Sequence, residues 1–108
     1  MKQDRLEKMF KGWFVGGFIP SAYTTNVCEV AVKRYRPGDK ESCHYHKVAT
    51  EITLVLSGKV LMFDKVWNEG DIITVNTGES TSFEALTEVT IVVVKVPGAV
   101  DDKYYIEK

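Results

Sequence analysis

Two histidines and a carboxylate, set at fixed distances between two glycines, constrain this chain more than any other feature. His44 and His46 are its only two histidines, and Glu51 follows them between Gly38 and Gly58. In an extended strand the side chains at i and i+2 point to the same face. If the stretch is a strand, His44 and His46 project side by side. Two imidazoles and a nearby carboxylate are a chelating set for a divalent transition metal. The same three residues are also the parts of a general acid–base site in which Glu51 orients one imidazole. A purely structural histidine pair is the third alternative.

The spacing contains a conflict. His46 and Glu51 are an odd number of positions apart, and unbroken alternation puts them on opposite faces. For the three to share a site, the chain must bulge or break near Val48, Ala49 and Thr50. Beyond that break Glu51, Thr53 and Val55 face inward, and Ile52, Leu54 and Leu56 face outward. Outward aliphatic side chains need a cover, which is another strand, the N-terminal segment or a second copy of the chain. A homodimer is therefore expected.

The rest reads as short strands between turns. Residues 27–36 alternate, which predicts Cys28, Val30 and Val32 inside and Glu29, Ala31 and Lys33 outside. Turns are expected at 36–39, 57–59, 68–71 and 76–79, where Gly, Pro, Asn and Asp gather. Strands are expected at 60–63 and 66–67, with Asp64 and Lys65 at their tip, and at 72–75 and 81–85. The apolar run 89–96 suits a buried strand. Many short strands with regular turns indicate a closed or sandwiched all-β fold. Residues 1–20 are expected to form an N-terminal strap, with a short helical turn near Gln3 to Phe10. Trp13, Phe14 and Phe18 in it suit core or dimer packing first and a pocket wall second. Residues 21–98 form the barrel and 99–108 a polar tail. Tyr23, Arg34 and Tyr35 are candidates for a pocket mouth, against the more ordinary surface or packing roles. Glu84 is expected on the outer surface.

Composition removes several classes. The 108 residues suggest one domain, and a formal net charge of -1 with scattered Lys and Arg argues against a nucleic-acid groove. The longest apolar run is far too short for a membrane span, and the N-terminus lacks a secretory pattern, so a cytoplasmic protein is expected. Cys28 and Cys43 have opposite expected facings, which argues against a disulfide; reduced thiols suit the cytoplasm.

Written out, the central spacing is Gly38, five residues, His44, one residue, His46, four residues, Glu51, six residues, Gly58. The chain thereby resembles the cupin superfamily, small β-barrels whose first motif has this form. The resemblance implies an all-β, single-domain cupin, an antiparallel β-barrel or jelly roll that holds a small-molecule ligand. It implies that His44, His46 and Glu51 ligate one divalent transition metal, with Fe, Mn, Ni and Zn all admissible. In the second cupin motif Gly70 and Gly78 fall in place, Asn76 stands where proline is usual, and Thr81 stands where the fourth ligand, a histidine, is usual. A three-ligand site follows, with the Thr81 hydroxyl as a hydrogen-bond partner for metal-bound water.

His44-Tyr45-His46-Lys47 also looks like a segment of cupin-fold sugar-nucleotide ketoisomerases that work without metal. Three functions therefore stand side by side. The first is a small metal-binding cupin that binds or transforms a small molecule, as an oxygenase or isomerase if it is an enzyme. The second is a metal-free sugar-nucleotide ketoisomerase. The third is a non-catalytic carbohydrate- or ligand-binding module. A fold hosts all three, so the choice belongs to the site.

Overall fold

Turn residues cut the chain into short strands, as their spacing predicts. In the computed structural model, which describes residues 1–106, these are β1 (Trp13–Gly16), β2 (Tyr23–Thr24), β3 (Glu29–Tyr35), β4 (Lys40–Tyr45), β5 (Thr50–Ser57), β6 (Val60–Met62), β7 (Lys65–Trp67), β8 (Ile72–Val75), β9 (Thr81–Ala85), β10 (Val89–Val96) and β11 (Tyr104–Tyr105). The one helical element among the described residues is a 3-10 turn at Leu6–Lys8. No helix there is long and apolar enough to cross a membrane.

The strands form two sheets, ordered β2-β1-β3-β10-β5-β8 and β11-β4-β9-β6-β7. Every pairing is antiparallel except β1 with β2. Between them lies a core that includes Val55, Val60, Ile73, Phe83, Ala85, Val89 and Ile91. β10 sits between β3 and β5. Only one face of it is buried, through Val89, Ile91, Val93 and Lys95; Val92 and Val94 are half-buried and Val96 is exposed. Two turns show why their residues are needed. At Gly58 φ is +89°, and a Cβ there would lie 2.1 Å from the Glu88 carbonyl oxygen. At Phe63 and Asp64 φ is 51° and 54°, the type I′ geometry of a two-residue hairpin. The tip therefore falls one residue earlier than the pattern predicts.

The break between His46 and Glu51 is present. β4 ends at Tyr45, β5 begins at Thr50, and residues 46–49 leave the ladder. Thr53 and Val55 are then buried, while Leu56 is exposed.

Two expectations are corrected. In β3 the facing is inverted. Glu29 and Ala31 are buried, Val30 and Val32 are only half-buried, and Lys33 and Tyr35 line the interior cavity. Polar-out patterning fails here because both sides of the sheet depart from the rule. The inside of β3 borders a polar cavity. The outside continues an apolar surface, with Val30, Val94 and Ile52 in one cross-strand row and Val32, Val92, Leu54 and Ile72 in the next. The segment from 99 onward is more than a tail. It folds back on β4, pairing Tyr104 with Tyr45 and Tyr105 with His44, and buries Asp102. Residues 107 and 108 lie outside the described residues.

Candidate functional site

The open end of the barrel is a cavity of about 890 Å³ that His44, His46, Glu51 and Thr81 all line. His44 comes from the C-terminal end of β4, opposite Thr81 in register. His46 follows in the break, and its ring lies 5.4 Å from that of His44, edge to face. Glu51 opens β5, and its Oε1 stands 3.7 Å from His46 Nε2. This is too far for a hydrogen bond but close for a charge pair.

Each imidazole is anchored by its other nitrogen. His44 Nδ1 lies 2.9 Å from the Ser42 carbonyl oxygen, and His46 Nδ1 lies 2.6 Å from that of Asp102. A carbonyl only accepts, so in the neutral rings Nδ1 carries the proton and Nε2 keeps its lone pair. His46 Nε2 is buried and has no hydrogen-bond partner.

Asp102 builds the break that the sequence demands. One carboxylate oxygen accepts the backbone N–H groups of Lys47 and Val48, and the other those of Val48 and Ala49. Three successive amides freed from the ladder are thus satisfied by one side chain. The same residue's carbonyl orients His46, so the returning segment sets both the bend and the ring.

The ionisation of the site follows from these contacts. The facing Glu51 carboxylate raises the His46 pKa above that of an ordinary histidine. Burial alone would push Glu51 up, but His46 and Lys95 outweigh it and hold its pKa below the usual range. Burial lowers the His44 pKa. For Asp102 the desolvation is outweighed by the amides of Ala49, Lys47 and Val48, and its pKa falls.

Thr81 is buried at the position where a fourth ligand is absent. Its hydroxyl hydrogen goes to the Ser82 carbonyl, and its oxygen accepts the Phe63 N–H. It has no proton left to donate into the cavity. Trp13, Phe18 and Tyr35 line the cavity, whereas Phe14, Tyr23 and Glu84 do not. Tyr35 donates to Glu41 at 3.0 Å, and burial followed by the Glu41 charge raises its pKa. Cys28 and Cys43 are free thiols.

Sequence reasoning missed three contributors. Asp102 had no local signal, because a carboxylate in an irregular segment has no periodicity. Lys95 did have one: it shares strand parity with Val89, Ile91 and Val93, so it had to face inward. Glu29 becomes inward only once β3 is placed in register beside Lys95.

A protein with a double-stranded β-helix domain from Klebsiella pneumoniae superposes with a TM-score of 0.71 at 23% identity, over 78% of this chain and 74% of its own. A cupin-superfamily sugar phosphate isomerase from Silicibacter pomeroyi superposes with a TM-score of 0.64 at 24% identity, over 75% and 57%. The chain has the cupin fold. Oxalate decarboxylase from Bacillus subtilis also superposes, with a TM-score of 0.64 at 22% identity over 75% of this chain and 24% of that enzyme. No protein-family model and no curated protein sequence matches the chain. One cupin fold thus carries an isomerase and a decarboxylase among these neighbours, and the fold does not choose a chemistry for this chain.

Proposed function

We propose that this cupin-fold chain holds one divalent transition metal through His44, His46 and Glu51, and binds or transforms a small molecule in its barrel. The observation that carries the reading is the buried, unpartnered Nε2 of His46. Both imidazoles have Nδ1 tied to a carbonyl, the arrangement that presents Nε2 lone pairs to a metal. Among the described residues no group of three His, Cys, Asp or Glu side chains is placed so that it could hold a metal ion as it stands. The donor types fit the metal, and binding requires His44, His46 and Glu51 to draw closer than the 3.7 Å between His46 Nε2 and Glu51 Oε1 and the 5.4 Å between the two rings suggest. Fe, Mn, Ni and Zn all suit two imidazoles and a carboxylate. Bound there, such an ion supplies Lewis acidity or an activated water. The chain's own residues orient the ligand and exclude water. Thr81, without a free proton, takes part only as an acceptor.

We further read the chain as a homodimer that works in the cytoplasm. The apolar rows outside β3, β10, β5 and β8 support the first, and the two free thiols support the second.

The test is elemental analysis of protein purified without a tag or chelator, beside His46→Ala and Thr81→His. Near-stoichiometric metal in the natural chain and its loss in His46→Ala are expected. Unchanged metal content in His46→Ala would refute the site. Metal only in Thr81→His would mean that the missing histidine disables it.

A second reading has its own observation. Glu51 faces His46 and raises its pKa, which is the pairing of an acid–base site that works without metal. It predicts isomerase turnover, or tight binding of a nucleotide sugar, that survives complete chelation. A ligand retained without turnover under every metal and oxygen condition would instead mark a binding module.

A further inference from the structure

The cavity holds a second charged pair that the metal reading does not use. Glu29 on β3 and Lys95 on β10 are directly opposed in register. They are 4% and 8% exposed. Lys95 is also opposed to Glu51 on its other side, so Glu29, Lys95 and Glu51 form one row across the three strands. All three line the same cavity as the histidines.

The pair is incomplete. Lys95 Nζ stands 3.6 Å from Glu29 Oε1, a charge contact rather than a tight hydrogen bond. Glu29 Oε2 is buried and has no partner. A buried carboxylate oxygen without a donor is unusual and calls for a missing group. A buried ion pair is also a weak source of stability, since apolar residues of similar volume often serve as well. Its position in the cavity, not in the closed core, gives it a ligand-facing role.

We infer that Glu29 and Lys95 form a hydroxyl-reading subsite, and that the ligand of this barrel is a polyhydroxylated small molecule of the sugar class. The chemistry selects it. An ammonium group would satisfy Glu29 Oε2 but would meet the Lys95 charge beside it. A carboxylate would satisfy Lys95 but would meet Glu29 and Glu51 on either side. A hydroxyl donates to Glu29 Oε2, accepts from Lys95, and brings no charge. Glu29 and Glu51 lie two strands apart, about 9 to 10 Å between backbones. A ligand that touches both ends of the row is therefore a molecule of several carbons with hydroxyls along its length. This inference rests on the reading of the cavity as the ligand site, but not on a metal.

The experiment uses full-length protein carrying Trp67→Phe, which leaves Trp13 as the one tryptophan of the two in the chain. Trp13 is a suitable reporter because Lys95 Nζ lies 5.3 Å from its ring centre. D-glucitol, D-glucose and D-glucuronate are titrated against its fluorescence, with adipate as a hydroxyl-free six-carbon control. Calorimetry repeats the titrations on the natural sequence. At least one of the three polyhydroxylated probes is expected to bind saturably, and adipate less well. Glu29→Gln should weaken that binding about tenfold or more, the scale of a hydrogen bond to a charged group. A Glu29→Gln/Lys95→Met double variant, which removes both charges together, should do the same, so poor folding of either variant leaves the other. Circular dichroism checks that each is folded.

Equal or better binding of adipate would overturn the inference. So would unchanged polyol binding in a folded Glu29→Gln or double variant, or no saturable response to any polyhydroxylated probe. Metal content is measured on the same samples. Metal retained without polyol binding refutes this inference alone, and polyol binding without metal refutes the metal site alone.

Discussion

The two ends of this barrel are made by the same strands and do opposite work. On β5 the inward residues run Glu51, Thr53, Val55; on β10 they run Lys95, Val93, Ile91, Val89; on β9 they run Thr81, Phe83, Ala85. Each strand passes from polar at the open end to apolar at the closed end. Toward the closed end these three strands are apolar and their stability comes from area removed from water, although Phe83, Ile91 and Val93 also wall the cavity, beside Lys33 and Tyr35 of β3. The open end buries charges that need partners, and two of its polar atoms, Glu29 Oε2 and His46 Nε2, have none. A fold gains little by burying such atoms. The difference teaches that the closed end carries the fold, which leaves the open end for the proposed site.

The sharpest way to break this comparison is a large-to-small change at the closed end. Phe83 is 6% exposed and packs within the core cluster. Phe83→Ala should cost about 3–5 kcal/mol and lower Tm by on the order of 15 °C. Metal content per folded chain should stay unchanged at a temperature where the variant is still folded. A variant that keeps its Tm would show that the core is not where the stability lies.

At the open end the largest effect on stability belongs to Asp102. Asp102→Ala leaves the buried amide of Ala49, the part-buried amides of Lys47 and Val48 and the break at residues 46–49 without their acceptor, and should cost about 1–3 kcal/mol. The same change frees the segment that orients His46, so metal affinity should fall about 10- to 100-fold. The sign of the pH effect follows from the depressed pKa of Asp102. Its contribution is fully present above the ordinary aspartate value and is lost as pH falls through the lower folded value. Acid unfolding of the natural chain should therefore be steeper than that of Asp102→Ala. Parallel acid limbs for the two proteins would exclude Asp102 as the source.

Asp102 also marks where sequence reading stops. His44, His46 and Glu51 were legible because a fixed spacing lies within one stretch of chain. The need for a break before Glu51 was legible because strand parity is strict. What satisfies the break was not, since Asp102 lies 53 to 55 positions beyond the amides it accepts. The facing of β3 misled for a physical reason: apolar-in patterning assumes a dry interior and a wet exterior, and this strand has a polar cavity on one side and an apolar sheet face on the other. Lys95 was the available clue, one charge at the inward parity of an otherwise aliphatic strand.

The outer face of that same sheet gives the smallest expected effect on the fold and the clearest on assembly. Ile52 and Leu54 are half-buried, and the adjacent Leu56 and Ile72 are 50% and 62% exposed. Cross-strand neighbours extend the patch through Val30, Val32, Val92 and Val94. No inward side chain changes when Ile52 and Leu54 are replaced by lysine, because successive residues of a strand face opposite ways. Ile52→Lys/Leu54→Lys should therefore leave metal content per chain as it was. If a second copy covers this face, the natural protein has twice the chain mass by light scattering and the variant has the chain mass. The Tm of the natural protein then rises with concentration and that of the variant does not. A natural protein that is monomeric at every concentration would remove the dimer and leave the apolar face as surface. The site within the barrel would be untouched, because the cavity residues of this chain come from one copy alone.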